Sequence, residues 1–463
     1  MRTLLVPQAP TKFLALAGLC LALAGCAGTP VEHLPDTALN TGDTAFMLVS
    51  AALVMLMTPA LALFYGGLVR PKNVLSVVMQ SFIALGVVTV LWVLVGYSLA
   101  FAPSAIRIGN GNGLIGSLQW AGLGVQNVAL DPHPIYCTTS PHRLFMIYQC
   151  MFAIITPALI SGAFAERMKF KTYLVFISLW LLLVYCPIAH WVWSATTLAA
   201  DGSVEVGGWL RKLGSLDFAG GTVVHMSSGF TALVVAVMIR PRRGFPREAF
   251  VPHNLVLTVL GAGLLWFGWF GFNGGSAIGS SKLAVVAFTA THCAAASGAL
   301  AWMFTDWLTK DKPTLLGAAS GAVAGLVAIT PASGFVGMLS AFAIGAVAGV
   351  ACSYAVTWRA RRGIDDALDA FGVHGVGGTI GALLTGVFAS KYLNAAGADG
   401  LVHGNGSLII AQLWAVLATI TYTVSVSFVL LKVLDLTMGL RISTDEEQMG
   451  LDLTQHGEAA YSS

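Results

Sequence analysis

His225 and His374 each stand inside a long apolar stretch, where an ionisable side chain is costly and faces a cavity or a partner. Each follows a glycine-containing segment headed by an aspartate, Asp217 eight residues before His225 and Asp369 five residues before His374. A single such histidine reads as a core side chain bonded to a backbone carbonyl. Two in equivalent settings read differently. A neutral imidazole donates from one nitrogen and accepts with the other, so a pair makes a polar line through apolar surroundings. Neither histidine has Cys, Glu or a third His at ligand spacing, so no metal site is expected.

Asp217 and Asp369 fit structural capping, each placing a carboxylate where the orphan N–H groups and dipole of a following helix can use it. For Asp217 a second role stays open, as a negative charge near an outer mouth that favours a cation. Aromatic side chains gather near outer ends of the stretches: Tyr148 and Phe152, Trp191 and Trp193, and Trp266, Trp269, Phe270 and Phe272. They read either as an interfacial belt or as a cage for a cation, worth about 0.5–2 kcal/mol per contact when desolvated. Ser276, four residues past Phe272, offers a hydroxyl acceptor. These residues alone point to a conductor of a small cation or a small polar solute.

The elements that must position them are membrane spans. Of 463 residues, 56% are hydrophobic and 10% charged, with mean hydropathy +0.79; a soluble domain carries about 25% charged residues. The net charge of +3 excludes a nucleic-acid binder built on a basic surface, and the apolar bias excludes a disordered chain. Eleven stretches are long and apolar enough to span: 45–69, 73–101, 143–164, 171–193, 219–239, 253–272, 284–309, 314–332, 334–358, 371–389 and 407–433. With the N-terminus outside, fourteen Lys and Arg fall on inward connections and six on outward ones, which favours N-out, C-in.

A weak internal repeat runs at an offset of five spans. Ala153–Ala158 in the third matches Val327–Ala332 in the eighth through a shared Ile-Thr-Pro-Ala, and the Asp217–His225 segment matches the Asp369–His374 segment. An odd offset reverses direction, so spans 1–5 and 6–10 form an inverted repeat and the eleventh stands outside it. Such repeats enclose a site near the midplane at their interface. The fold expected is an all-α polytopic membrane protein, an inverted 5+5 repeat plus an eleventh helix.

The start reads as a cleavable signal peptide over 1–26, with Arg2 and Lys12 ahead of a short apolar run. Leu23-Ala24-Gly25-Cys26 also resembles a bacterial lipoprotein box, in which Cys26 would be lipidated; ordinary cleavage nearby is the alternative. Residues 27–44 would be an exported segment, 45–433 the transmembrane domain and 434–463 a cytoplasmic tail. The seven cysteines contain no Cys-x-x-Cys and read as small buried hydrophobes.

At these residues the chain resembles the ammonium transporter (Amt/Mep/Rh) family, and most the bacterial and plant Amt branch. The resemblance is carried by Ala62–Arg70, Leu216–His225, Gly268–Ser276, Phe371–Gly375 and Asp435–Arg441, in family order across nearly the whole mature chain. It implies a homotrimer with a separate pore in each protomer, seated in the lipid bilayer of the bacterial cytoplasmic (inner) membrane. It implies an outer ammonium recruitment site from Trp193, Phe152 and Ser276, with an acidic position at Asp217. It also implies a gate from Phe152 and Phe272, and a twin-His pair, His225 and His374. Where many relatives have Phe before Gln, this chain has Tyr148 before Gln149, adding a hydroxyl to the gate. The tail, Gly450–Asp452 and His456–Tyr461, resembles that of relatives regulated by a PII-type protein.

The mechanism this implies begins with NH4+ (or methylammonium, its analogue) held by ring faces and Ser276. The ion is deprotonated, NH3 passes the imidazoles, and a proton relay involves the two histidines. No cofactor is implied. An ammonium sensor signalling through its tail is the alternative of a different class; a sodium-coupled transporter would share the architecture. A membrane enzyme lacks a paired carboxylate, nucleophile triad or metal cluster.

Overall fold

The computed structural model describes residues 39–461 apart from 110–111, 125–127, 199–203 and 249. The expected leader with Cys26, and the segment expected to be exported as far as residue 38, lie outside the described residues. The apolar stretches become α1 (Thr41–Leu68), α2 (Pro71–Phe101), α3 (His142–Phe164), α4 (Phe170–Trp193), α5 (Gly221–Ile239), α6 (Leu255–Ala277) and α7 (Lys282–Lys310). They continue with α8 (Leu315–Ile329), α9 (Met338–Arg361), α10 (Phe371–Phe388) and α11 (Ser407–Thr437). Ten are long and apolar enough to cross a membrane; α8, with 15 residues, is shorter than expected. Thr330 still has helical φ and ψ, Pro331 after it lacks an amide proton to extend the ladder, and a tight turn follows to Phe335.

Side-chain caps set several starts. The Asn40, Asn254 and Thr314 side chains accept from the amides of Asp43 at 3.0 Å, Leu257 at 2.9 Å and Gly317 at 2.9 Å. Five spans depart from regular α-helix in a π-turn, which admits one extra residue per turn: Trp92–Gly96, Leu181–Tyr185, Gly221–Met226, Phe270–Gly274 and Phe371–Gly375. Such turns concentrate at functional sites. Three of these hold His225, Phe272 and His374.

Connections alternate between two ends. One carries the short antiparallel hairpins Ser104–Ile108 with Asn112–Gly116, Pro132–His133 with Cys137–Pro141, and Ala195–Leu198 with Val204–Val206. The opposite end is tied by buried ion pairs. Glu166 receives Arg70 at 3.0 Å and Arg242 at 3.2 Å, and Arg242 also holds Asp365 at 2.8 Å. Asn73 donates to Glu166 at 2.9 Å and accepts from Leu451 N–H at 2.8 Å. The tail is thereby fastened to the same network. Its short helix α12 (Thr444–Met449) is capped by Ser443, and Asp452 accepts from Leu75 and Ser76 N–H at 3.1 and 2.8 Å.

Candidate functional site

α5 and α10 enter from opposite ends, and His225 and His374 lie four and three residues past their starts, at most about 6 and 4.5 Å along their axes. The two helices overlap antiparallel at these first turns, so both N-termini aim at the middle of the molecule. Contact is close because both sides are glycine: a Cβ on Gly229 would meet Gly375 N at 2.1 Å. The imidazole Nδ1 atoms are 3.2 Å apart and the rings lie at 23° with centroids 5.3 Å apart. Both side chains are buried.

Aromatic rings continue the line towards the hairpin end. Phe272 stacks on His225 at 6.0 Å, Phe152 covers Phe272 at 4.2 Å, and Trp193 meets Phe152 edge-on at 6.1 Å. Tyr148 packs its ring on Phe152 at 5.0 Å. Its hydroxyl points away from the rings, to the carbonyls of Phe272 at 2.8 Å and Gly271 at 3.0 Å. The extra polar atom therefore braces α6 and leaves the ring face apolar. Ser276 Oγ lies 3.2 Å from that hydroxyl and 2.9 Å from the Phe272 carbonyl.

Asp217 caps α5. One carboxylate oxygen accepts from Gly220 and Gly221 N–H at 2.7 Å each; the other accepts from Thr222 N–H at 2.8 Å and from its hydroxyl. Its backbone carbonyl accepts from the Trp193 indole at 3.0 Å. The charge is thus spent on a helix start that would otherwise present a positive end to the ring file.

The cap expected from Asp369 is corrected. Asp369 pairs with Arg359, and Asp366 caps α10, accepting from Ala370 and Phe371 N–H at 3.1 and 2.8 Å. A signal was available, because Asp366 stands eight residues before His374, as Asp217 does before His225. The Asp217–His225 segment therefore corresponds to Asp366–His374 rather than to Asp369–His374.

The aromatic clusters divide. Trp266 and Phe270 turn to the other side of α6, against His292 at 5.4 and 6.1 Å. Trp269 is no belt residue. It stacks on His225 at 5.5 Å and donates to Thr330 Oγ1 at 2.9 Å. Thr330, noticed in the sequence only as a repeat marker, lies 3.3 Å from His225 Nε2. Beyond His374, towards the ion-paired end, opens a cavity of ≈ 200 Å³ lined by Tyr65, Phe250, Trp269, Val323, Asp369 and His374 among others. Phe250 is clamped there by the guanidinium groups of Arg242 at 4.0 Å and Arg70 at 5.1 Å. Among the described residues no cluster of three or more His, Cys, Asp or Glu could hold a metal.

The site is therefore a file of rings leading to two touching imidazoles, with an open space behind them. A family model described as Ammonium Transporter Family matches residues 45–461. An ammonium transporter of Bacillus subtilis is 51% identical over 424 residues, 91% of this chain and 99% of the relative. Ammonium transporter Amt1 of Archaeoglobus fulgidus is 45% identical over 91% of this chain and all of its own. Among solved structures, Candida albicans Mep2 superposes with a TM-score of 0.80 at 36% identity, covering 92% of this chain and 91% of that one. Saccharomyces cerevisiae Mep2 gives 0.79 at 39%, with 89% of each covered.

Proposed function

The chain belongs to the ammonium transporter family, and from that premise we propose that it conducts ammonium nitrogen across the membrane as NH3 through the twin-His line. The observation that carries this reading is the 3.2 Å contact of His225 with His374 inside an otherwise apolar file. NH4+ would be held at the hairpin end by the ring faces of Trp193 and Phe152, with the Ser276 hydroxyl as acceptor. Carrying the intact ion past Phe152 and Phe272 would strip its hydration without replacing it. Release of a proton there lets a neutral molecule continue. The imidazoles then offer NH3 both a donor and an acceptor, and a proton relay through them would make the net process electrogenic.

Asp217 acts in this scheme without touching the cation. By neutralising the start of α5 it removes a positive end that would repel NH4+. The hairpin end is read as the outer face, because Arg70, Lys72, Arg167, Arg240, Arg242, Arg243, Arg359 and Arg361 collect at the other end. With α8 and its following turn counted as a span, eleven crossings place the docked tail inside, where a PII-type partner would reach it. The family resemblance also assigns a homotrimer with one path per protomer.

Replacing His374 with Ala and recording ammonium-evoked current in proteoliposomes tests the relay. Current should collapse, or selectivity against K+ should be lost. Unchanged current with unchanged selectivity sinks it.

A further inference from the structure

Thr330 lies where its single hydroxyl decides how the two histidines share their protons. Its Oγ1 has three neighbours: the Leu326 carbonyl at 2.8 Å, the Trp269 indole Nε1 at 2.9 Å and His225 Nε2 at 3.3 Å. A carbonyl only accepts and an indole N–H only donates. The hydroxyl proton is therefore committed to Leu326, and one lone pair is taken by Trp269. What remains for His225 is an acceptor, so His225 Nε2 must carry a proton. In a neutral imidazole the other nitrogen is then bare. Across the 3.2 Å contact two bare Nδ1 atoms would repel, so His374 Nδ1 holds the shared proton. His374 Nε2 is left as a lone pair.

The inverted repeat would make this choice ambiguous, and it is broken at this hydroxyl. Thr156, the repeat counterpart of Thr330, makes the same bond to the carbonyl four residues earlier, to Phe152 at 2.6 Å. Among the described residues it makes no hydrogen bond to His374. Among the described residues, only His225 of the two imidazoles has a hydrogen-bond partner outside the pair.

We propose that Thr330 is a positioning residue that fixes His225 as the Nε2–H tautomer and so gives the pair one polarity, with the His374 Nε2 lone pair at its far end. Resting on the twin-His reading, this adds a direction to it. Ammonia meets an acceptor at His374 rather than a second donor. The chain also ends at Thr330, whose proton points at a carbonyl that has none to return. A proton arriving on His225 cannot leave through Thr330.

Nitrogen NMR of histidine-labelled protein separates protonated from bare ring nitrogens without any transport measurement. In the unaltered protein His225 should show Nε2–H with bare Nδ1, and His374 the opposite; the reverse assignment overturns the proposal. Thr330→Val keeps the shape and removes the hydroxyl. It should mix or invert the tautomers and slow maximal flux roughly three- to tenfold, the equivalent of one ordinary hydrogen bond. Half-saturation at the distant recruitment site should stay unchanged. Thr330→Ser should restore both tautomer and rate. A Val variant that keeps the original tautomer refutes the idea, as does a folded Ser variant that fails to restore it. Should Thr330→Val not assemble, the unaltered spectrum and Thr330→Ser decide alone. Tautomers that follow Thr330 while His374→Ala leaves current intact would sink the transport reading and spare this one.

Discussion

Gly229→Ala adds one methyl group where α5 and α10 cross. Its Cβ would sit 2.1 Å from Gly375 N and 2.8 Å from the His374 carbonyl carbon, whereas ordinary contact begins at 3.4 Å. Both obstacles are backbone and cannot rotate aside. The first turn of α10 must therefore retreat by about 1.3 Å, because a close-packed interior offers no slack. With the two Nδ1 atoms 3.2 Å apart at the outset, such a shift takes the imidazoles out of hydrogen-bond range. Overpacking of this kind costs about 1–3 kcal/mol, which destabilises the fold without abolishing it. Geometry is less forgiving, since a 1 Å misplacement of a working group costs on the order of 10²-fold. Ammonium-evoked current in proteoliposomes, normalised to reconstituted protein, should fall by about that factor. Gly86→Ala is the companion: nothing lies within 4 Å of its added Cβ, so flux should hold and helix propensity should improve by roughly 1 kcal/mol. Wild-type current from a correctly assembled Gly229→Ala protein would refute the claim that the path depends on this contact.

Asp217→Asn, which sets an amide among backbone donors, should lower stability by about 1–3 kcal/mol, read as the thermal midpoint of the purified protein. An unchanged midpoint with weakened ammonium half-saturation would mean direct cation binding instead of capping. The ion-paired end should loosen in acid. Burial opposes ionisation of Glu166, but Arg242 and Arg70 outweigh it and hold its carboxyl below the ordinary 4.5. For Asp365 burial is likewise outweighed, by Arg242 and Arg167, and its carboxyl lies below the ordinary 3.8. A depressed folded value stabilises fully above the ordinary one and less as pH falls through the folded one. Thermal stability should therefore decline on acidification below those values, and Glu166→Gln should flatten that decline while costing about 3–5 kcal/mol at neutral pH, because Arg70 loses its carboxylate and Arg242 keeps only Asp365. A slope unaltered by Glu166→Gln would discount the network.

Among the described residues, hydropathy located ten helices long enough to span and a shorter eleventh, with ends within about five residues, because uncharged stretches of this length leave little alternative. The histidines were legible for the complementary reason that an ionisable group in such a stretch demands an explanation. Long-range partnerships were not. Arg70, Arg167 and Arg242 were counted as inward charges, yet their carboxylate partners lie 76 to 198 residues away, a separation no local pattern encodes. Trp269 and Thr330 failed for another reason. A Trp near a span end and a Thr before a proline both have commonplace readings, and only the angular position of α6 against α8 brings them to His225. Hydropathy continues smoothly through Pro331, whereas the helix of α8 stops at Ile329 and gives way to a turn; the equivalent Pro157 lies inside α3, so the proline alone does not mark the end.

The π-turns at His225, Phe272 and His374 mean that chain length helps set the path. Each turn holds a surplus residue, so removing one would let the helix close into regular α geometry. The wide turn absorbs its surplus residue, so the helix beyond would keep nearly its phase while side chains within the turn are re-aimed by up to about 100°, off the proposed line. A survey of substitutions holds the number of residues constant and so never visits that variable. Single-residue deletions through Gly221–Met226, Phe270–Gly274 and Phe371–Gly375 would, and in each the side chains of one turn would be re-aimed while its composition stayed almost the same.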